Sequence, residues 1–410
     1  MAHSTLLHTS DWHLGHQLYS RRRNEEFARF LDWLVALIAE RNADAVVIAG
    51  DVFHTTLPDT QAQELYYNFL LRAGMAGARN IIVTAGNHDS PTFLAAPRKL
   101  LATLNVHVVG APSSDRRNDI ITLKNRAGED CAIVCAVPFL REKDAREFAA
   151  GEDNLEKEQK LVEGIRAHYK DMAEQAEQIR AGRDIPIIAT GHLFASGASP
   201  SREVRQLYIG GSGAVPADIF PDNLDYVALG HIHRPQKIGS SEYRRYSGSP
   251  IPIHFDEASQ TKNVLLLHFD GRKPQLERCE IPVFRRLLTL SGSQESLLAQ
   301  LRELASAGQN RDEEIWFELN HDGSDNFGDL KDNVQDLFKG LNWALLNCNP
   351  ARARGRSLEP APDRRLEDYT PQEMFRLRLE QGGYGEEQKR NLMLTFQELI
   401  ALWHENGGSQ

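Results

Sequence analysis

The chain has 410 residues, of which 41% are hydrophobic and 25% are charged. This is the composition of an ordinary globular protein, and the length predicts two or three domains with a sizeable core. Acidic residues outnumber basic residues by 57 to 47, so the net charge of -10 gives no overall positive field for nucleic acid, and phosphate recognition would depend on metal ions or local basic clusters.

The four cysteines predict neither a disulfide framework nor a zinc site. Cys131 and Cys135 lie four residues apart in an apolar run, where small buried side chains are expected. The sequence shows no secretory signal and no apolar run of membrane-spanning length, so we expect a reducing, cytoplasmic location without membrane association.

The first part of the chain predicts repeated βαβ units. Apolar runs at residues 6–10, 45–49 and 81–85 are rich in β-branched residues and predict buried strands. Between them, apolar residues recur at helical spacing over residues 21–41 and 59–72. Strands that alternate with helices in this way favour a parallel sheet.

The middle of the chain is richer in predicted strands. A helical stretch at residues 97–104 precedes them, and the charged segment 141–182 predicts one or two exposed helices with a thin apolar face. This domain should end between residues 280 and 284. The predicted strands are residues 106–109, 120–123, 131–137, 185–190, 226–229 and 263–269.

A smaller unit follows, in which strands and helices alternate and predict a compact α+β cap. Its predicted elements are residues 286–290, 294–305, 314–319, 330–339 and 343–347.

Residues 350–362 then predict a linker, and two helical segments, 371–380 and 386–404, form a tail. The second has an apolar stripe that can pack on its own domain or dock in the groove of a partner, and the pattern leaves both possibilities open. The stripe consists of Leu392, Phe396, Leu399 and Trp403.

Five predicted strands end in the same way, in a turn that presents Asp, Asn or His. In an open α/β sheet, ligands bind in the crevice outside the carboxyl ends of the strands. These side chains, from distant parts of the chain, are therefore predicted to converge on one site. They are Asp11 and His13, Asp51, Asn87 to Asp89, His192, and His231 and His233.

A set of Asp, Asn and His without cysteine suits manganese, iron or zinc with five or six ligands. Two such ions about 3.5 to 4 Å apart can bridge a phosphate and activate water for in-line attack. Asp51 stands alone at its strand end and is the natural bridging carboxylate. Asp11 and His13 can hold the first ion, and His231 and His233 can each reach a metal.

The ordered blocks Asp-x-His, Gly-Asp, Gly-Asn-His-Asp, Gly-His and Gly-x-His resemble those of the calcineurin-type metallophosphoesterases. The resemblance implies an α/β (α+β) fold: a two-sheet sandwich flanked by helices, followed here by a small α+β capping domain and a C-terminal helical tail. It also implies two ions. The first would be held by Asp11, His13, Asp51 and His233, and the second by Asp51, Asn87, His192 and His231.

The same resemblance implies the catalytic residues. His88 would be the unligated imidazole that contacts the scissile phosphate and protonates the leaving oxygen, and Asp89 would orient His88. His54 matches a histidine that some relatives use near the phosphate, although an ordinary loop histidine is an equally good interpretation.

Longer blocks, at residues 8–15, 49–53, 85–90 and 229–233, are similar to those of the SbcD family of bacterial nuclease subunits. This similarity implies a two-metal nuclease that uses two Mn²⁺ ions, for which Mg²⁺, Fe or Zn can substitute. The implied activities are double-strand exonuclease and hairpin or single-strand endonuclease, on DNA ends and hairpins in repair, recombination and replication near the nucleoid.

The similarity also implies an assembly with an SbcC-type ATPase, docked through the tail helices, and a homodimer formed through the helices at residues 59–72 and 97–104. We accordingly predict a nuclease domain at residues 1–283, a capping domain at 284–349, and a linker with an ATPase-binding tail at 350–410.

Two other functions are compatible with the same residues. One is hydrolysis of a small nucleotide or lipid phosphoester, against which the cap and tail argue. The other is a non-catalytic scaffold with a vestigial site, against which the complete ligand set argues.

Overall fold

The computed structural model describes residues 3–146, 152–199, 214–306, 313–323, 330–350, 370–381 and 385–405. The chain forms two compact units, Met1–Arg286 and Leu287–Gln410. In the described part of the chain, no helix combines the length and the apolarity needed to cross a membrane.

The strands, in chain order, are β1 Ser4–Thr9, β2 Gln17–Leu18, β3 Arg21–Arg22, β4 Ala45–Ala49, β5 Asn80–Thr84, β6 Val106–Val109, β7 Ile120–Lys124, β8 Asp130–Cys135, β9 Ile187–His192, β10 Tyr226–Gly230, β11 Gln236–Lys237, β12 Arg244–Tyr246, β13 Asn263–Phe269, β14 Pro274–Glu280, β15 Arg286–Gly292, β16 Ile315–His321 and β17 Trp343–Asn349. The α-helices are α1 Asn24–Glu40, α2 Thr60–Met75, α3 Pro91–Ala95, α4 Arg98–Ala102, α5 Glu142–Ala145, α6 Asn154–Arg180, α7 Gln294–Ser306, α8 Leu330–Leu337, α9 Pro371–Gln381 and α10 Glu386–Glu405.

Two six-stranded sheets form the first unit. The strand order of the first sheet is β14-β13-β1-β4-β5-β6, and that of the second is β11-β12-β10-β9-β8-β7. In the first sheet β1, β4, β5 and β6 are parallel, and in the second β8, β9, β10 and β12 are parallel. The predicted mixed α/β fold is therefore confirmed, and the carboxyl ends of five ligand-bearing strands are available to one site.

The interior between the two sheets is apolar. Leu6, Val47 and Ile82 of the first sheet pack with Val134 and Ile188 of the second, and all five side chains are buried. This packing fixes the two sheets face to face. Because a one-residue slip in register would turn these side chains away from the core, it also fixes which residue ends each strand.

Helices cover the outer faces of the sandwich. Helix α1 buries the apolar positions that its spacing predicts, including Phe27, Leu34 and Ile38, against the first sheet. Helix α6 packs Ile165 and Tyr169 against the second sheet, so the segment predicted to be exposed has a well-buried face. The outer core is thus split into one layer for each sheet.

The second unit contains a three-stranded sheet, β15-β16-β17, and two helices, α7 and α8. Leu301 of α7 and Val334 of α8 form one core with Phe317 of β16. In the tail, Phe375 of α9 stacks on Phe396 of α10, with ring centroids 4.1 Å apart. Residues 351–362 of the predicted linker and the side chain of Trp403 lie outside the described part of the chain.

The edge strand β14 is an element that the sequence pattern did not predict. Pro274–Glu280 has only a few apolar residues among polar and charged ones, and its burial shows no regular alternation. It pairs antiparallel with β13 over seven residue pairs, from Asn263 and Glu280 to Phe269 and Pro274. Tertiary pairing, rather than local propensity, therefore forms this strand.

Candidate metal centre

The structure brings the predicted ligands together at the carboxyl edge of both sheets. Asp11 and His13 follow β1, Asp51 follows β4 and Asn87 follows β5, all in the first sheet. The second sheet contributes the remaining three, His192 at the end of β9 and His231 and His233 after β10. Each sheet supplies part of one centre.

Four of these residues have a strained backbone. Asp11, His13, Asp51 and His231 have φ angles of 53°, 49°, 50° and 96°. Left-handed conformations are unfavourable for side chains with a Cβ atom and persist only where the surroundings enforce them. Their clustering on four predicted ligands indicates that this backbone is held for function.

Glycines allow the strand ends to approach one another. A Cβ atom on Gly86 would lie 2.1 Å from Oδ1 of Asp51, and one on Gly50, whose φ angle is +87°, would lie 2.2 Å from Nδ1 of His192. Larger residues at these positions would displace the proposed ligands. This explains why a glycine stands before the polar residue at these strand ends.

The first group of ligand atoms is formed by Asp11, His13 and His233, whose ligand atoms all lie within 4.8 Å of one another. The Nε2 atoms of His13 and His233 are 3.1 Å apart. The side chains are buried, with at most 7% of each residue exposed. Asp51 Oδ2 lies 3.6 Å from His13 Nε2, which brings a second carboxylate to this group.

The second group surrounds the same Asp51 carboxylate. Nε2 of His192 lies 3.3 Å from Asp51 Oδ2. Oδ1 of Asn87 lies 2.9 Å from Nε2 of His192 and 3.1 Å from Nδ1 of His231. Since Asp51 Oδ2 contacts both groups, it stands where a bridging ligand is needed.

Two of the imidazoles are oriented by bonds on their outer nitrogen. His192 Nδ1 lies 3.1 Å from the carbonyl oxygen of Ala49, and His233 Nδ1 lies 3.0 Å from Oε1 of Glu257. If each Nδ1–H donates to its oxygen, each Nε2 lone pair points into the centre, which is the tautomer that metal ligands require.

The donor chemistry fits a pair of divalent cations. Carboxylate and amide oxygens and imidazole nitrogens converge in a buried space, and the Nε2 atoms of His13 and His233 face each other there. Such a set of electron-pair donors is best balanced by metal ions.

Burial and the neighbouring carboxylate shift the pKa values of the histidines in different directions. Burial lowers the pKa of His13 and His231 well below the usual histidine value. Burial would also lower the pKa of His192, but the Asp51 carboxylate outweighs it and raises that pKa to about 9. Metal binding would therefore displace a proton from His192.

His88 lies beside the two groups and is held by its own backbone and ring. Its N–H donates to Asp51 Oδ1 at 2.8 Å, and its Nδ1 lies 3.0 Å from the carbonyl oxygen of His54. The His54 ring stacks on the His88 ring with centroids 5.6 Å apart, and the His13 ring meets His88 edge-on at 4.9 Å. His54 thus adjoins the centre, and its role stays a prediction.

Asp89 lies differently from the expectation that it orients His88. Its carboxylate accepts hydrogen bonds from the backbone N–H groups of Gly86, Val52 and Phe53, at 2.9, 3.1 and 2.9 Å. Burial is the main cause that raises its pKa to about 7. Asp89 therefore ties the loop after β5 to the loop after β4, while the carbonyl of His54 contacts the His88 ring.

Several residues around the site were not found by sequence reasoning. Ser10 Oγ donates to Asp11 Oδ2 at 2.5 Å, and the His16 ring packs edge-on against His54 with centroids 4.6 Å apart. Burial lowers the pKa of His16 to about 2. Glu257, at the end of a short 3-10 helix, and Lys262, just before β13, lie behind His233, where no periodic pattern marks them.

Comparison with known proteins gives matches over both units. The family model described as "Calcineurin-like phosphoesterase" matches residues 4–235, and the model described as "Type 5 capsule protein repressor C-terminal domain" matches residues 283–382. Fold, site and match together define the first unit as a calcineurin-like phosphoesterase, a class of metal-dependent hydrolases.

Curated relatives narrow the family further. The chain is 37% identical to the SbcD subunit of the SbcCD nuclease from Escherichia coli (strain K12) over 393 residues, which are 95% of this chain and 96% of the relative. It is 33% identical to the protein of the same name from Rhodobacter capsulatus, over 90% of this chain and 93% of that one. A third, from Bacillus subtilis (strain 168), is 35% identical over 64% of this chain and 65% of the relative. The chain belongs to the SbcD family of nuclease subunits.

Proposed function

We propose that this protein is a manganese-dependent DNA nuclease that hydrolyses phosphodiesters at a two-metal centre. The main support is the position of Asp51, whose carboxylate contacts His13 on one side and His192 on the other. Asp, Asn and His ligands suit Mn²⁺, with Mg²⁺, Fe or Zn as substitutes. The relatives' name, nuclease, supports a nucleic acid as the substrate.

In this proposal, the first ion is held by Asp11, His13, Asp51 and His233, and the second by Asp51, Asn87, His192 and His231. Two bound divalent ions supply Lewis acidity that neutralises charge on the phosphate and activates the attacking water. The metal ions would also place positive charge where the phosphate binds, in a chain whose net charge of -10 gives no overall attraction for a nucleic acid.

His88 is the proposed general acid. Its Nδ1–H is directed to the His54 carbonyl oxygen, so its Nε2 is the atom left to contact the phosphate and protonate the leaving oxygen. The stacked His54 ring limits rotation of the His88 imidazole. A His88 that is fixed in this way loses little entropy in reaching the reacting geometry.

We further propose that the protein works with an SbcC-type ATPase, which its tail helices bind, on DNA ends and hairpins in repair, recombination and replication. The relatives are named as one subunit of an SbcCD nuclease, which supports a partner. Leu392, Leu394 and Leu399 of α10 are exposed, which supports docking of this helix in a partner groove. This function implies a cytoplasmic, nucleoid-associated location.

A homodimer through α2 and α4 is part of the same proposal. Leu71 and Met75 of α2 are 50% and 79% exposed, and Leu100 and Leu104 at α4 are 69% and 49% exposed. Large apolar side chains that are exposed to this extent favour association. Light scattering of the Leu71→Glu/Met75→Glu variant should give the monomer mass if this surface forms the dimer.

The activity is tested by incubating an end-labelled DNA hairpin with the full chain and Mn²⁺, with and without the ATPase partner. The wild type should cut the hairpin, and Asp51→Ala, which removes the bridging carboxylate, should not. A wild type that leaves DNA intact under all these conditions, but hydrolyses a small phosphodiester, would move the assignment to a small-molecule phosphoesterase.

A further inference from the structure

A buried ion pair lies directly behind His233. Glu257, which is completely buried, accepts a hydrogen bond from Nδ1 of His233 through Oε1 at 3.0 Å. Through Oε2 it accepts one from Nζ of Lys262 at 2.7 Å. The two oxygens of one carboxylate thus join the imidazole to a buried ammonium group.

Further bonds fix this pair from several sides. Oε2 of Glu257 also accepts from Ser249 Oγ at 3.2 Å and from the backbone N–H of Ile253 at 3.1 Å. Lys262 Nζ donates in addition to the carbonyl oxygen of His233 at 3.0 Å and to Ser249 Oγ at 2.9 Å. Lys262 therefore holds the backbone of His233, while Glu257 holds its ring.

His192, in the second group of ligands, is held by a different kind of acceptor from the one that holds His233. His192 Nδ1 faces the carbonyl oxygen of Ala49, which is neutral and part of β4. A carboxylate is a stronger acceptor than a carbonyl and makes the imidazole a better electron donor. The two proposed metal sites thus differ in the acceptor on the outer nitrogen, which is a carboxylate for His233 and a backbone carbonyl for His192.

We propose that Glu257, charge-balanced by Lys262, is a positioning residue that holds His233 with Nδ1 protonated and Nε2 directed to the first ion. This inference rests on the proposed two-metal site. Neither residue is among the proposed ligands, and neither has a hydrogen bond to the second group in the described contacts. Loss of Glu257 should therefore weaken binding of the first ion and leave binding of the second ion unchanged.

The first test is a calorimetric titration of the metal-free full chain with Mn²⁺. The wild type should bind two ions, and Glu257→Gln should bind one of them about 10- to 100-fold more weakly, the range for loss of a residue that orients a metal ligand. His233 and Lys262 bond to different oxygens of the carboxylate, and in the amide one of these two oxygens is replaced by an NH₂ group, which cannot accept. The matched control is Glu26→Gln, which removes another buried carboxylate, paired with Arg23 and Arg285, that has no hydrogen bond to a proposed ligand in the described contacts.

A second pair of variants separates positioning from charge balance and from folding. Glu257→Gln/Lys262→Met is neutral and leaves the amide oxygen free to accept from His233, whereas Glu257→Leu/Lys262→Met is neutral without an acceptor. The first should bind both ions within about threefold of the wild type, and the second should show the 10- to 100-fold loss at one site. Imidazole ¹⁵N shifts should report a protonated Nδ1 on His233 only where an acceptor is present.

The outcomes separate the two proposals. A wild type that binds two ions, together with a Glu257→Leu/Lys262→Met variant that binds both equally well, overturns the positioning role and leaves the two-metal site intact. A wild type that binds fewer than two ions overturns the proposed centre and this inference with it.

Discussion

The strand β4 changes character over two residues. Ala45–Ala49 is buried along its whole length, and its side chains pack in the cores on the two faces of the sheet. The next two residues, Gly50 and Asp51, both have left-handed backbones, and Asp51 places a carboxylate among histidines. The strand interior is relaxed and apolar, whereas its end is strained and polar. The comparison teaches that burial of the apolar core stabilises the fold enough to offset the strained and polar strand ends, which destabilise it.

The largest effect that sharpens this comparison is expected at His88. His88→Ala should reduce turnover about 10²- to 10⁴-fold, which is the contribution of a general acid. The Mn²⁺ stoichiometry and the midpoint of thermal unfolding should stay close to those of the wild type, because His88 is not a proposed ligand. Turnover, metal titration and calorimetry check this, with His107→Ala on β6 as the control. Wild-type turnover in His88→Ala would contradict the proposed role.

A smaller effect is expected in the strand interior, where a substitution should change stability and leave turnover unchanged. Ile82 is completely buried between the sheets, and Ile82→Ala should lower the free energy of unfolding by about 2 to 5 kcal/mol. Turnover per folded molecule should not change. Urea unfolding and assays below the transition measure the two quantities, and Ile82→Val should cost about 0.5 to 1.5 kcal/mol. Loss of metal from the folded Ile82→Ala variant would contradict the conclusion that the core affects stability without affecting the metal centre.

The smallest effect concerns acid. His8 on β1 is buried between the sheets, with Nδ1 3.0 Å from the hydroxyl oxygen of Tyr226, and burial lowers its pKa from 6.5 to about 3. The unfolded chain takes up this proton near pH 6.5, whereas the folded chain does not. The contribution to stability is therefore complete above pH 6.5 and is lost as pH falls towards 3, by at most about 1.4 kcal/mol per pH unit.

Unfolding of the metal-free protein at pH 7, 6 and 5 tests this effect. His8→Phe keeps an aromatic ring against Tyr226 and removes the titrating group, so its stability should fall less steeply with decreasing pH than that of the wild type. Equal slopes for the two proteins would show that the folded chain takes up the His8 proton as readily as the unfolded chain, so that folding does not lower this pKa.

Much of the fold and of the site can be predicted from the sequence, because both the strand interiors and the strand ends have recognisable local patterns. The buried strands are runs of β-branched residues, and their ends are glycines followed by ligands, so the convergence of Asp51, Asn87 and His192 was predictable. The residues behind the ligands leave no such pattern. Glu257 contacts a histidine 24 positions away, from the end of a three-residue 3-10 helix that is too short to show a periodic pattern. The family resemblance implied that Asp89 orients His88, but the Asp89 carboxylate accepts hydrogen bonds from backbone N–H groups, which no local pattern in the sequence indicates.

The sequence separations within the centre have a consequence for synthesis. The N–H of His231 donates to Asp11 Oδ1 at 2.8 Å, so the first ligand loop meets a partner 220 positions later. Contacts of such separation form late, because a long loop must close before they contribute. A chain emerging from the ribosome therefore has no complete ligand set until residue 233 is out and both sheets have docked. A chain that ends before residue 233 therefore lacks at least one of the proposed ligands and should be inactive.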